Sequence, residues 1–341
     1  MIAMPMMGLG TLAIGLLPTY ASVGIVAPML LTLCRLVQGF STGGEAGTAV
    51  AYLVEWAPEG RRGLYSSVSH ATGVGGTLIA AGLAASLSTV LDSASLHAWG
   101  WRIPFLIGGL VIAPIGYYLR TKVDETPSFS AALRDDDATS RPMPNGPVWL
   151  HCLKAIAISS VWFVSYNVFM VYVPAFLPTH GHIRGGDALW ITTVGFVGML
   201  VCILAAGMLS DKMGRKPPLL VGAIGFIVCA YPIFLLFSTS SSVVLVLLAV
   251  LFCNALIGLI AGSCTAAIAE MFPTRVRTTG VSIGYGISVT VFGGFASVVS
   301  EALIKFTGSP LSSSYFVIAT AVISLCVVLS LKETAHRPLV V

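Results

Sequence analysis

The chain has 341 residues, of which 56% are hydrophobic and only 9% charged. A soluble domain carries roughly 25% charged residues, so an ordinary water-soluble globule is excluded. The formal net charge of +4 is spread through the loops as short punctuation, which argues against a nucleic-acid-binding face.

Ten apolar runs follow one another, at about 2–17, 22–43, 64–91, 101–120, 151–177, 187–209, 217–237, 243–269, 280–304 and 313–331. A bilayer-spanning helix needs about 20 predominantly apolar residues, and none of the runs alternates apolar with polar as barrel strands do. The expected fold is all-α and integral to a membrane. With residue 1 placed inside and each run crossing once, 14 of the 18 basic residues fall on the cytoplasmic side. Positive residues collect there, so both termini are expected inside. Seven cysteines stand singly, with no spacing that suggests a metal or a disulfide framework.

The longest polar interval, 120–150, reads as a loop because it has several prolines, five acidic residues and no sustained period. Its Asp135-Asp136-Asp137 run lacks partner ligands at a usable spacing and reads as solvated loop. The expected organisation is a four-span bundle (1–120), a central cytoplasmic loop (121–150), a six-helix bundle (151–332) and a tail (333–341). Two segments match across this divide: Glu55, Pro58, Arg61, Arg62 and Gly63, and then Glu270, Pro273, Arg275, Arg277 and Gly280. Each places Glu at the end of a span, Pro three residues on, an Arg pair, and Gly opening the next span. Related helical halves are a mark of many secondary transporters. The offset of 215 residues would put a first-half counterpart of GMLSDKMGRK (207–216) just before Met1. The expectation is a twelve-span plan of which this chain carries ten; a wrongly assigned start and a genuine ten-span protein are the alternatives.

GMLSDKMGRK resembles the Gly-x-x-x-Asp-Arg/Lys-x-Gly-Arg-Arg/Lys loop signature of the major facilitator superfamily. RLVQGFSTGGEAGTAVAYLVEWAPEGRRGLYSS (35–67), HAWGWRIPFLIG (97–108), DETPSF (124–129), VYVPAFL (171–177), AEMFPTRVR (269–277) and LKETAHRPL (331–339) together resemble its metabolite–proton symporter branch. That branch includes alpha-ketoglutarate permeases, citrate–proton symporters, and shikimate and proline/betaine transporters. The resemblance implies two six-helix bundles working by alternating access.

Charges inside a span are expensive and mark function by default. Arg35, Gln38, Thr42 and Glu45 fall at i, i+3, i+7 and i+10, one polar stripe on a helix. Arg35 suits a carboxylate by its fork geometry; the alternative is that each stripe member pairs with a neighbouring helix and locks packing. His70 is either a proton relay or a packing histidine bonded among Ser66, Ser67 and Ser69. Trp162, Tyr166, Asn167 and Tyr172 form a polar-aromatic set, some of it expected by resemblance to line a cavity, with Asn254 as a further candidate. Glu301 and Lys305 read as a surface pair. A cytoplasmic gate is expected from Glu55, Arg61, Arg62, Gly207, Asp211, Gly214, Arg215, Lys216, Glu270, Arg275 and Arg277, with Glu270 facing Arg215 or Arg275.

The expected function is proton-coupled symport of a small organic acid, a di- or tricarboxylate, with VFGGFASVVSEAL (291–303) resembling the carboxylate carriers. An osmolyte (proline/betaine)–proton symporter is the alternative, and a non-transporting remnant the alternative of another class. No phosphate loop, nucleophile elbow or metal set points to an enzyme. No cofactor is expected, the driving force being the proton gradient. The expected partners are a small-molecule substrate, protons and the lipid bilayer, without nucleic acid, for a monomer in a bacterial inner (plasma) membrane.

Overall fold

The computed structural model describes residues 3–122 and 147–335. Most of the expected central loop, with its Asp135-Asp136-Asp137 run, and the end of the tail lie outside the described residues. Among the described residues every regular element is helical. In chain order they are α1 (Ala3–Leu16), α2 (Tyr20–Val23), α3 (Val26–Glu55), α4 (Arg62–Val90), α5 (Ser93–Ala98), α6 (Ile103–Ile107), α7 (Ala113–Thr121), α8 (Val148–Tyr166), α9 (Val173–His180), α10 (Gly185–Met213), α11 (Lys216–Thr239), α12 (Val243–Glu270), α13 (Thr274–Ile287), α14 (Ala296–Thr307) and α15 (Ser312–Ser330).

The ten apolar runs correspond to ten helical stretches, because α6–α7, α8–α9 and α13–α14 are each one interrupted span. Eight of them are long and apolar enough to cross a membrane. Several helices overrun the apolar stretch that announced them. α3 has 30 residues, about 45 Å at 1.5 Å per residue, and ends at Glu55 rather than near residue 43. The apolar run stops where charge begins, but the helix continues because those charges find partners.

The interruptions are π-helical turns at Gly108–Ile112, Asn167–Tyr172 and Ser288–Gly293. Two of them end two residues before a proline, Pro114 and Pro174. Proline has no N–H to return to the carbonyl four residues back, so the preceding turn widens. The third ends in Gly293-Gly294. Helix ends follow ordinary chemistry elsewhere: the Ser242 hydroxyl accepts from Leu245 N–H, and Gly308 ends α14 in the left-handed region at φ 69°.

Backbone packing divides the chain into two compact units: Met1–Ala46 with Gly76–Glu125, and Gly47–Gly75 with Thr126–Val341. α3 and α4 each contribute a part to each unit, α3 mostly to the first. In the first unit α1 lies along α6, the π turn and α7, with Gly8 against Ala113 and Gly15 against Phe105 and Leu106. In the second, α10 packs along α12, and α15 touches both α8 and α11. Its core holds Phe169, Phe176, Phe226, Phe234 and Phe237, all fully buried. Small residues let these helices approach, as where Gly258 meets Cys202 and Gly262 meets Ile203 and Ala206.

Candidate functional site

The polar stripe of α3 lies in the first unit. Gln38 Nε2 donates to Thr11 Oγ1 at 2.8 Å, and Thr42 Oγ1 contacts Met7 Sδ at 3.6 Å, both on α1. Glu45 Oε1 accepts from Arg120 Nη1 at 2.9 Å, at the end of α7. Three of the four members are therefore engaged with neighbouring helices. Arg35 is exposed and has no hydrogen bond or ion pair among the described residues. In the same unit, Arg102 of the WGWR segment donates to Ala98 O at 2.5 Å and to Leu17 O at 3.1 Å, closing the end of α1.

The polar-aromatic set lies in the second unit and is larger than its sequence suggested. His70 does not bond to the serines around it: its Nε2 faces the Tyr285 hydroxyl at 3.4 Å, from α13. The ring of Trp162 stands edge-on to His70 with centroids 4.6 Å apart, and Tyr166 lies 5.3 Å from Trp162. Phe163 and Tyr285 close the cluster, 4.8 Å apart. His70 and Trp162 are 5% and 4% exposed, yet His70 Nδ1 and Trp162 Nε1 are buried without a hydrogen-bond partner. Tyr285 was not singled out by sequence; a lone tyrosine between Gly284 and Gly286 in an apolar span was the available signal.

Of the remaining candidates, Asn254 and Tyr172 tie helices together, while Asn167 bonds within its own. Asn167 Nδ2 donates to Phe163 O one turn back, and Asn254 Nδ2 donates to Gly195 O on α10. The Tyr172 hydroxyl donates to Glu301 Oε2 at 2.9 Å. Glu301 is thus more than the surface partner of Lys305, which stands 3.7 Å away.

At the basic end of the second unit the expected gate residues form an ion-pair network. Arg215 sits between α10 and α11 and is 2% exposed. Its Nη1 donates to Asp211 Oδ1 at 2.9 Å and to Ser210 Oγ at 3.1 Å. Glu270, at the end of α12, faces Arg215; Arg275 is exposed. Burial works against the Arg215 charge, but the hydrogen bonds and charges of Glu270 and Asp211 outweigh it and hold the guanidinium pKa above its ordinary value. Arg277 is fully buried; its Nη1 meets Glu55 Oε1 at 2.6 Å and its Nε donates to Ala269 O at 3.0 Å. Arg61 is exposed and Arg62 half-buried.

One rule organises this network: carboxylates sit at helix N-termini and cations at C-termini, each supplied by a neighbouring element. The Asp211 oxygens accept from Gly63 N–H and Leu64 N–H, in the first turn of α4, at 2.7 and 2.8 Å. Glu333 accepts from Arg215 N–H and Lys216 N–H at the start of α11. Lys216 Nζ donates to Leu329 O and Leu331 O at the end of α15. Each contact opposes an unsatisfied helix end and its partial charge. Gly63 and Gly207 permit the close approach, since a Cβ on either would lie within 2.8 Å of the other's carbonyl oxygen. Gly214 combines φ 97° with the Glu333 carboxylate against its Cα. Sequence reasoning missed Glu333 and Thr334, whose hydroxyl donates to Glu270 Oε2 at 2.6 Å. A Lys-Glu-Thr triplet directly after an apolar span was the signal for them.

Two family models match: one described as "Sugar (and other) transporter" over residues 3–143, and one described as "Major Facilitator Superfamily" over 163–340. The Escherichia coli (strain K12) proline/betaine transporter is 31% identical over 99% of this chain and 69% of its own length. The Klebsiella pneumoniae citrate-proton symporter is 32% identical over 95% of this chain and 73% of its own. Among solved structures, a proton:xylose symporter with a bound sugar analogue superposes with a TM-score of 0.79 at 20% identity, covering 99% of this chain and 80% of that one. A fucose:proton symporter of E. coli superposes with a TM-score of 0.61 at 11% identity, over 96% and 83%. At those identities the structural likeness speaks for the fold.

Proposed function

We propose that this chain, which belongs to the major facilitator superfamily, carries a small carboxylate-bearing zwitterion of the proline or betaine kind across the membrane together with protons. As a member of a transporter family it is not an enzyme. The observation that carries the substrate reading is the 31% identity to proline/betaine transporters over 99% of the chain. It reverses the order set by sequence motifs, which put di- and tricarboxylates first. The aromatic cluster of His70, Trp162, Tyr166 and Tyr285 fits that reading, because aromatic faces attract ammonium groups.

A second reading, a di- or tricarboxylate, is favoured by Arg35. It is the one stripe member without a partner among the described residues, and a guanidinium matches carboxylates in pairs. Under either reading the network of Asp211, Arg215, Glu270, Glu55 and Arg277 is the cytoplasmic gate, whose ion pairs hold one state closed and break for release. The membrane is the bacterial inner membrane.

Uptake by proteoliposomes of labelled proline, glycine betaine, citrate and alpha-ketoglutarate, with and without an inward proton gradient, tests the proposal. Gradient-driven uptake of proline or betaine is the expected result. Uptake of citrate or alpha-ketoglutarate alone would establish the second reading, and no uptake of any of the four would sink both.

A further inference from the structure

We propose that His70, Trp162 and Tyr285 form a carboxylate subsite that takes up the substrate's carboxylate and one proton together. The inference rests on the reading of the chain as a proton-coupled carrier of a carboxylate-bearing solute, and it adds where that group is held.

Two polar atoms in this cluster are buried and unpartnered, His70 Nδ1 and Trp162 Nε1. The indole nitrogen can only donate. When the Tyr285 hydroxyl donates to His70 Nε2, the imidazole proton must sit on Nδ1, and that atom becomes a donor as well. The cluster then presents two buried donors that make no hydrogen bond, the indole N–H lying near the Tyr285 oxygen but outside bonding geometry, an arrangement that costs stability in the empty protein. A ligand that supplies acceptor oxygens removes the cost. A carboxylate does so with two oxygens, and proline, betaine and citrate all possess one.

Charge fits the same conclusion. Whatever charge the rest of the solute carries, its carboxylate is a local negative charge in a membrane-spanning bundle, costly unless a positive group stands beside it. The groups facing the cluster are Tyr166 on α8, Tyr285 on α13 and Cys264 on α12, the last two close enough to interact. Tyrosine and cysteine are neutral at pH 7 by their ordinary pKa values. Among the described residues the cluster contains no arginine or lysine, so His70 is its one group able to supply the positive charge. One proton taken up on the imidazole gives a neutral carboxylate–imidazolium pair, with Tyr285 turning its hydroxyl to accept from Nε2. Each guest neutralises the other.

The test compares ligands that differ only in the carboxylate. Stabilisation of the purified chain against heat is titrated with proline and prolinol, with glycine betaine and choline, and with citrate, at pH 6 and pH 8. The expected result is that the acids bind and their carboxylate-free analogues do not, more tightly at pH 6. Trp162→Phe should weaken acid binding about tenfold or more, the loss of one hydrogen bond to a charged group. In the absence of ligand it should leave the melting temperature unchanged or raised, since an unpartnered buried donor has been removed. His70→Gln should abolish the pH dependence while retaining a folded protein. A merely structural role predicts a lowered melting temperature without ligand and equal losses for acids and analogues; that result would overturn the subsite. If the wild type separates acids from analogues and Trp162→Phe keeps the separation, the subsite is wrong and the transport reading stands. If the wild type binds none of these ligands, the transport reading fails first and the subsite with it.

Discussion

Arg215 holds Glu270 side-on: its Nε and Nη2 donate to the two carboxylate oxygens at 3.2 and 2.9 Å, with both side chains 3% exposed. Removing one partner from a buried pair leaves the other charge stranded, which costs about 3–5 kcal/mol. Arg215→Ala or Glu270→Ala should therefore lower the melting temperature in detergent by several degrees. The Arg215→Met/Glu270→Met double variant should recover much of the loss. A double variant no more stable than either single one would show that the pairing is not the source.

Gly63 and Gly207 press α4 against α10. Ala at either position should cost about 1–3 kcal/mol, the penalty of forcing an atom into a packed contact. Gly186→Ala is the control: it lies in the first turn of α10, and its added Cβ meets nothing within 4 Å. It should be neutral or slightly stabilising. Equal effects at all three positions in thermal unfolding would refute the close-approach account.

Glu333 sets an acid limit on the segment after α15. Partial burial raises its pKa, but hydrogen bonds from the N–H groups of Arg215, Lys216, Ala335 and Thr334 outweigh that and hold it below the ordinary glutamate value. A carboxyl group with a depressed folded pKa contributes stability above its unfolded pKa and loses it as pH falls through the folded one. The stability of the wild type should thus fall below about pH 4.3, the ordinary glutamate value. Glu333→Gln should flatten that part of the pH profile. An unchanged profile in the variant would assign the acid sensitivity to another group.

Arg35 and Glu45 separate packing from function on one helix. Arg35 is exposed and has no partner among the described residues, so Arg35→Ala should change stability by no more than about 0.5 kcal/mol. It should reduce uptake of di- and tricarboxylates, where two or three charges need compensation, more than uptake of betaine. Glu45→Gln breaks a pair that is about a quarter exposed, worth at most about 1 kcal/mol. Unimpaired carboxylate uptake in Arg35→Ala would end its candidacy as an anchor.

Much of this was legible in the chain. Long apolar stretches can only be satisfied as helices in lipid, because each backbone group must find its partner within the segment. Composition and run length therefore determined the class and the ten helical stretches, and the loop motifs carried the family. The π turns were not read from the chain, although Pro114 and Pro174 lie just past two of them and the missing N–H is a local property.

The pairing of side chains was legible only in part: Glu270 was expected to face Arg215 or Arg275, and which one it meets depends on which helices touch. The stripe left open whether its members pair with neighbouring helices; only packing shows that Gln38, Thr42 and Glu45 engage α1 and α7 while Arg35 has no partner among the described residues. Nor did the sequence relate His70 to Tyr285, 215 residues further on, or Glu333 to the start of α11. A charged residue in a sequence states only what must be neutralised; which helix end or counter-charge does so is decided when the helices pack.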